Sequence, residues 1–374
     1  MGSHGETDLR GPPGRRELTE PGLRILFVGD DKPGSRAPQR RRAMRDMGHT
    51  VDFVRSHPEG ETFETTPSIA RRLRHRLRRP ADTVGAGSEL LRRVAAEERP
   101  DVIWIDYVLT IRPAVYREVR RAWPAARLVW YSEDDMFQAH NGSVWLDRSI
   151  SAFDLWVTTK SFNARPEEMP ARGARRVMFV NNTYDRDLHR PVPLDAGERE
   201  RFGADASFVG TYESERGRAL LALARSGVRT RVWGNGWEKM GETPPDLVLE
   251  RRPVYGEELV RVYCASAVNL GFLRKLNRDL QTCRTIEIPA CRGFLLHERN
   301  SEVRSILTEG EEAAFFADDE ELIRQCRHWL DRPEERAAVG AAGWRRITAG
   351  GFSHHDRIAE ILAAATGRNT TCGS

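Results

Sequence analysis

The stretch "ASFVGTYESERGRALLALARSGVRTRVWG", residues 206–234, decides the fold. Its first five residues are apolar or small and read as a strand. "ESERGRALLALARSG" carries apolar residues at helical spacing, and "TRVWG" (230–234) is a second apolar run. A strand that is apolar on both faces, then a helix, then another such strand, is the unit of a parallel sheet covered on both sides.

The same alternation runs once before this stretch. "RILFVG" (24–29) is followed by "RAPQRRRAMRDMGH", which predicts a helix ending at Gly48. Further strands are expected at 50–54, 101–106, 127–132, 154–159 and 176–181. The polar, proline-containing "YDRDLHRPVPLDAGERE" interrupts the pattern and reads as a linker. Beyond residue 234 the alternation continues with a helix over "GEELVRVYCAS", a strand at 267–272, a helix near 281–291, "GFLLHE", and a strand at 313–317.

The fold class expected is α/β, with two Rossmann-like doubly wound domains facing a cleft. Ligands are expected at the carboxyl ends of the strands. Residues 1–21 read as a disordered lead, 22–190 as the first domain, 191–205 as a linker and 206–350 as the second domain. The amphipathic segment 351–367 is expected to pack back on the first domain.

At 374 residues, with 39% hydrophobic and 30% charged side chains, two cores are the natural expectation for a globular chain. No apolar run is long enough to span a bilayer, and the N-terminal stretch lacks the apolar centre of a signal peptide, so a cytoplasmic location is expected. Five cysteines with no C-x-x-C spacing argue against a disulfide framework and against a structural zinc site. A formal charge of +4 does not by itself point to nucleic acid, and no nucleic-acid partner is expected. The basic "ARRLRHRLRRP" (70–80) has arginine at nearly every position. It reads as a solvated helix or loop without a normal apolar face; the functional alternatives are an acidic acceptor, an anionic membrane surface or RNA.

Chemistry concentrates in "RKLNRDLQ" and "RTIEIPACRGFLLHE", residues 274–281 and 284–298. The first is expected to be a loop delivering the chain to a helix whose first turn holds Thr282. A helix N-terminus offers unpaired N–H groups and partial positive charge, which suit phosphate. Arg274, Lys275, Arg278 and Arg284 add cations. Glu287, one turn in, suits a ribose diol, as the acidic residue of dinucleotide folds does. The competing reading is a surface ion pair between Arg284 and Glu287, three residues apart on a helix.

"FVGTYESERGRALLALARSGVRTRVWGNGW", "VYGEELVRVYCASAVNLGF" and "RTIEIPACRGFLLHE" together resemble the C-terminal half of the CgeB-like, spore-maturation type glycosyltransferases, which have the GT-B architecture of two Rossmann domains. The resemblance covers residues 206–362 and extends more weakly through "YSEDD" into the first half. It implies an enzyme that moves a sugar from a nucleoside diphosphate to an acceptor, which is a small molecule, glycan or peptide. The GT-B group marks its donor site with an acidic residue, seven intervening residues, and Glu. Asp279 and Glu287 take those places, with Glu287 as the ribose ligand. By the same resemblance Gly210, Thr211 and Tyr212 face the donor phosphates, while Gly234, Asn235 and Gly236 of "WGNGW" border the base. Taken alone, "GNGWEK" lacks the third glycine of a dinucleotide fingerprint and is a strand-to-helix turn.

The arginines and the helix end can stabilise a departing diphosphate without a metal, and no cofactor beyond the sugar nucleotide is expected. Relatives with this acidic spacing lean toward retention of anomeric configuration. Catalytic candidates in the first half are Asp31, Asp134 and Asp135, at strand carboxyl ends, with helix N-capping as their structural alternative. Two rival functions remain on the sequence alone. One is a sugar-nucleotide 2-epimerase on the same fold; the other is a receiver-like signalling module with Asp106 as phosphoacceptor and Lys160 after a later strand.

Overall fold

The computed structural model describes residues 22–368, so the expected disordered lead at 1–21 lies outside the described residues. Among the described residues twelve strands form two six-stranded sheets, and every pairing between them is parallel. The first sheet contains β1 (Arg24–Gly29), β2 (Thr50–Arg55), β3 (Val102–Asp106), β4 (Arg127–Ser132), β5 (Leu155–Thr158) and β6 (Val177–Phe179), in the order β2-β1-β3-β4-β5-β6. The second contains β7 (Ala206–Val209), β8 (Thr230–Trp233), β9 (Leu247–Leu249), β10 (Val268–Gly271), β11 (Leu295–Glu298) and β12 (Ala314–Phe316), in the order β12-β11-β10-β7-β8-β9. The second order is that of a Rossmann sheet, with its topological switch between β7 and β10; the first switches between β1 and β3. This is the GT-B architecture.

The central strands are buried on both faces, as parallel strands inside a covered sheet require, whereas β2, β6 and β9 at the sheet edges are only partly buried. β3 is buried at every residue, and Trp130 on β4 stacks on its register partner Trp156 on β5, with ring centroids 4.9 Å apart. The C-terminal helix His354–Thr366 sends Ile358, Ile361 and Leu362 into the cluster of Ile25, Phe27 and Trp104 beneath the first sheet. Tyr184 and Ser353 form a parallel bridge beside it, with the His354 N–H donating to the Tyr184 carbonyl at 2.9 Å. Two elements differ from the expectation. Residues Ala196–Phe202, inside the segment read as a linker, form a helix capped by Asp195, and the three-residue β9 is a strand the sequence pattern does not predict. Among the described residues, Cys264, Cys283, Cys291 and Cys326 are free thiols.

Candidate active site

The carboxyl ends of the two sheets face each other across a cavity of about 610 Å³. From the first half it is lined by Arg36, Glu133, Asp134 and Lys160, which follow β1, β4 and β5. From the second it is lined by Gly210 and Thr211 after β7, Asn235 after β8, Arg274 and Asp279 after β10, and Thr282, Cys283 and Arg284 at the start of the helix Cys283–Ala290. A smaller pocket of about 140 Å³ adjoins it, sharing Arg36, Gly210, Thr211, Asn235 and Arg284 and ending on Glu287, His189 and Gly234. Both switch points therefore open into one space, where open α/β sheets place their ligands.

Glu287 is 1% exposed, which removes the alternative of a surface pair. Its partner is Arg36 of the first half, whose Nε and Nη2 both donate to Oε1, at 2.8 and 2.7 Å. The other carboxylate oxygen, Oε2, is buried with no hydrogen-bond partner among the described residues. Burial alone would raise this carboxyl, but Arg36, His189 and Arg284 hold it below the usual range, so it stays ionised. Glu287 lines the inner end of the smaller pocket, so a ligand hydroxyl that reached that end would meet an ionised carboxylate with one oxygen lacking a donor among the described residues. Arg284 instead donates its Nε–H to the Val209 carbonyl, which ties the helix start to the end of β7.

The loops after β7 and β8 approach each other closely. Gly234 has φ +142°, and a Cβ there would lie 2.0 Å from the Gly210 carbonyl oxygen. The N–H groups of Gly210 and Tyr212 are taken by the Trp233 and Asn235 carbonyls, at 2.9 Å each, leaving the Thr211 N–H without a partner among the described residues. Tyr212 packs edge-on against Trp237, and Gly236 lies against the Tyr212 Cβ; both sit behind the pocket wall rather than in it. The expected triad of 210 to 212 thus presents Gly210 and Thr211 to the cavity, and the "WGNGW" turn presents Gly234 and Asn235.

The cation set differs from the expectation. Lys275 turns away and pairs with Glu298 at 2.6 Å, lining a separate cavity. Arg278 also leaves the site. Its guanidinium makes paired hydrogen bonds to Asp135, at 2.6 and 2.9 Å, and to Glu168, at 2.8 and 2.9 Å. The neighbouring Asn277 accepts from the Asp135 N–H at 2.9 Å, so this loop locks the second half onto the first. In place of Lys275 and Arg278 stand Arg36, Lys160 and the buried Arg216, none of which sequence reasoning picked for the donor site. Lys160 donates to Asp279 at 2.6 Å, and Arg216 donates to the Thr211 carbonyl at 3.0 Å. The position of Asp279 is therefore at the cavity wall but paired across the cleft.

The three predicted carboxylates separate. Asp134 lines the cavity, and burial, opposed by Lys160 and Arg274, raises its carboxyl above the usual aspartate range. Asp135 is fully buried, carries the Arg278 lock and accepts from Asn163 at 2.8 Å, so it lies outside the cavity. Asp31 pairs with Arg55 at 3.0 Å and lines neither part of the cavity. Sequence position could not separate Asp134 from Asp135, because adjacent residues at a strand end point to opposite sides of the turn. The neighbouring Glu133 is held below the usual range: burial would raise it, and Arg40 and Arg36 outweigh that. Asp106 is taken by Arg40, with two contacts of 2.8 Å, and by the Trp104 indole N–H at 3.0 Å. An aspartate so enclosed is not an exposed phosphoacceptor, and Lys160 is engaged elsewhere; the receiver-like reading lacks its geometry.

Residues 216–363 match the family model described as "Glycosyl transferase-like". No curated protein matches the chain. Among solved structures, sucrose-phosphate synthase from Thermosynechococcus elongatus superposes with a TM-score of 0.65 at 12% identity, covering 91% of this chain and 98% of that one. Anabaena HepE, solved with UDP and glucose, gives 0.57 at 12% identity over 91% and 100%. A chain from Listeria monocytogenes described as a UDP-N-acetylglucosamine 2-epimerase gives 0.53 at 12% identity over 92% and 95%. The second half of the chain thus carries a glycosyl transferase-like domain on a GT-B fold, and domain and fold together support a glycosyltransferase.

Proposed function

We propose that the chain is a CgeB-like enzyme that transfers a sugar from a nucleoside diphosphate to an acceptor held by the first half. The observation that carries this reading is Glu287, ionised, with one carboxylate oxygen lacking a donor among the described residues, at the inner end of a pocket that opens onto a cation-lined cavity. A ribose hydroxyl would donate to it. The Thr211 N–H, the start of the helix Cys283–Ala290, and Arg274, Arg216 and Lys160 would then surround the diphosphate. HepE, on the same fold, binds UDP.

In the reaction, the acceptor oxygen bonds to the anomeric carbon while the bond from that carbon to the β-phosphate oxygen breaks. The diphosphate leaves with the electron pair and, in the retaining course proposed, takes the acceptor's proton. The protein's own cations offset the charge that develops on the diphosphate, so the reading assigns no step to a metal. Asp134, the predicted carboxylate that lines the cavity, is assigned to the acceptor hydroxyl.

Thermal unfolding with UDP, GDP, dTDP and ADP tests the reading on the wild type and on Glu287→Gln. A diphosphate at about a hundred times its dissociation constant adds roughly 2.7 kcal/mol. Stabilisation by one of them that shrinks in Glu287→Gln is the expected result and fixes the base. A folded wild type indifferent to all four contradicts it.

A further inference from the structure

We infer that the helix Ile69–Arg76 docks the protein on an anionic lipid surface. Every residue of this helix is exposed, yet three of its large aliphatic side chains are aligned. Ile69, Leu73 and its capping residue Leu77 are 76%, 57% and 60% exposed and recur at i, i+4 and i+8, which puts them on one face within an arc of about 80°. The basic segment therefore has an apolar stripe, contrary to the sequence expectation that its arginines leave none. Arg72 and Arg76 flank the stripe on one side and Arg74 on the other, as the same periodicity requires. None of these three makes an ion pair among the described residues, whereas Arg71 is taken by Glu61 and Arg78 by Asp147.

The helix is held at its ends but uncovered along its length. Ser68 accepts from the Arg71 N–H at 3.2 Å, the Arg78 carbonyl accepts from the Val144 N–H at 2.8 Å, and the Pro80 carbonyl accepts from the Trp145 indole at 3.1 Å. A helix present only for solubility has no reason to align three aliphatic chains outward. Charge complementarity selects the occupant. Free arginines beside an apolar stripe match a surface that offers anionic headgroups and, just beneath them, hydrocarbon. RNA would satisfy the arginines and leave Ile69, Leu73 and Leu77 in water. The helix also borders the cavity: Arg71 and Lys32 share Glu61, and Lys32 lies over Phe63, which lines the cavity. Docking would thus bring the cleft mouth to the lipid surface, whatever reaction the cleft performs.

Flotation of the full chain with vesicles of phosphatidylcholine alone, and of equal parts phosphatidylcholine and phosphatidylglycerol, tests this at low and high salt. The expected result is binding to the anionic vesicles that weakens with salt. It should fall at least about tenfold in Ile69→Asp/Leu73→Asp and by a similar factor in Arg72→Glu/Arg74→Glu. Both pairs are exposed, so unchanged urea midpoints verify that the variants remain folded. Absence of binding to anionic vesicles at low salt overturns the inference. So does equal binding to neutral vesicles, or binding that needs the arginines but survives loss of Ile69 and Leu73, which would indicate a polyanion such as RNA.

Discussion

Replacing Arg278 by alanine should separate the two halves energetically while leaving each sheet intact. The guanidinium makes four hydrogen bonds to two carboxylates, and the side chains of Asp135 and Glu168 are 0% and 9% exposed. Its removal leaves two adjacent carboxylates without their shared cation. Breaking a buried pair in this way costs about 3 to 5 kcal/mol. Arg278 itself is 37% exposed, so water screens part of the interaction and the expected loss is about 2 to 3 kcal/mol. Arg278→Lys keeps the charge but not the paired geometry, and should lose roughly half as much. Urea unfolding followed by tryptophan fluorescence gives the stability, and diphosphate affinity measured on the folded variants gives the functional effect. The loop that holds Arg278 also holds Arg274 and Asp279, so affinity should fall with stability. A change below about 0.5 kcal/mol in Arg278→Ala would refute the idea that this loop locks the halves together.

Asp134→Asn should raise the KM for the acceptor in a transfer assay while preserving diphosphate affinity, because the diphosphate rather than Asp134 takes the proton. Its carboxyl is raised in the folded chain, so its contribution to stability is present below the unfolded pKa and is lost as pH rises through the raised value; Asp134→Asn should therefore be at least as stable as wild type at pH about 7 in urea titrations. His297 lies beneath the helix start. Its Nδ1–H donates to the Glu298 carbonyl at 2.8 Å, and its Nε2 accepts from the Thr285 hydroxyl at 3.0 Å. Burial lowers its pKa from 6.5 to about 4. The neutral ring contributes above its unfolded value, and about 3 kcal/mol is lost as pH falls toward the folded value, so urea midpoints should drop over that window in wild type and more shallowly in His297→Gln. Arg292 follows the helix Cys283–Ala290 with φ +60°, a position that favours glycine, and Arg292→Gly should raise stability by up to about 1 kcal/mol in the same assay.

The sheets were legible because their central strands are buried on both faces: "RILFVG" and "DVIWID" cannot be read as half-exposed elements. The capped helix Ala196–Phe202 was hidden among the prolines and charges that precede it, and β9 is too short for a periodic signal. Within the site, positions fixed by one loop were visible, including Gly210, Thr211, Asn235, Thr282 and Glu287. What could not be read is pairing across the cleft. Arg36 reaches Glu287 over 251 residues and Lys160 reaches Asp279 over 119. The run of basic residues around Arg36 is a sequence signal only once the partner is known. Lys275 and Arg278 sit in the expected loop, but Glu298 and the Asp135–Glu168 pair claim them, and no local spacing announces that.

The most direct test of the account compares the affinity of the nucleoside diphosphate that binds with that of its 2′,3′-dideoxy analogue, by titration calorimetry on wild type and on Glu287→Gln. A hydrogen bond to a charged group contributes about 1.5 to 3 kcal/mol, so wild type should bind the dideoxy analogue roughly ten- to a hundredfold more weakly. Glu287→Gln should bind the two nucleotides with nearly equal affinity. Equal affinity in wild type would contradict the account, because Glu287 Oε2 would then be facing something other than a ribose.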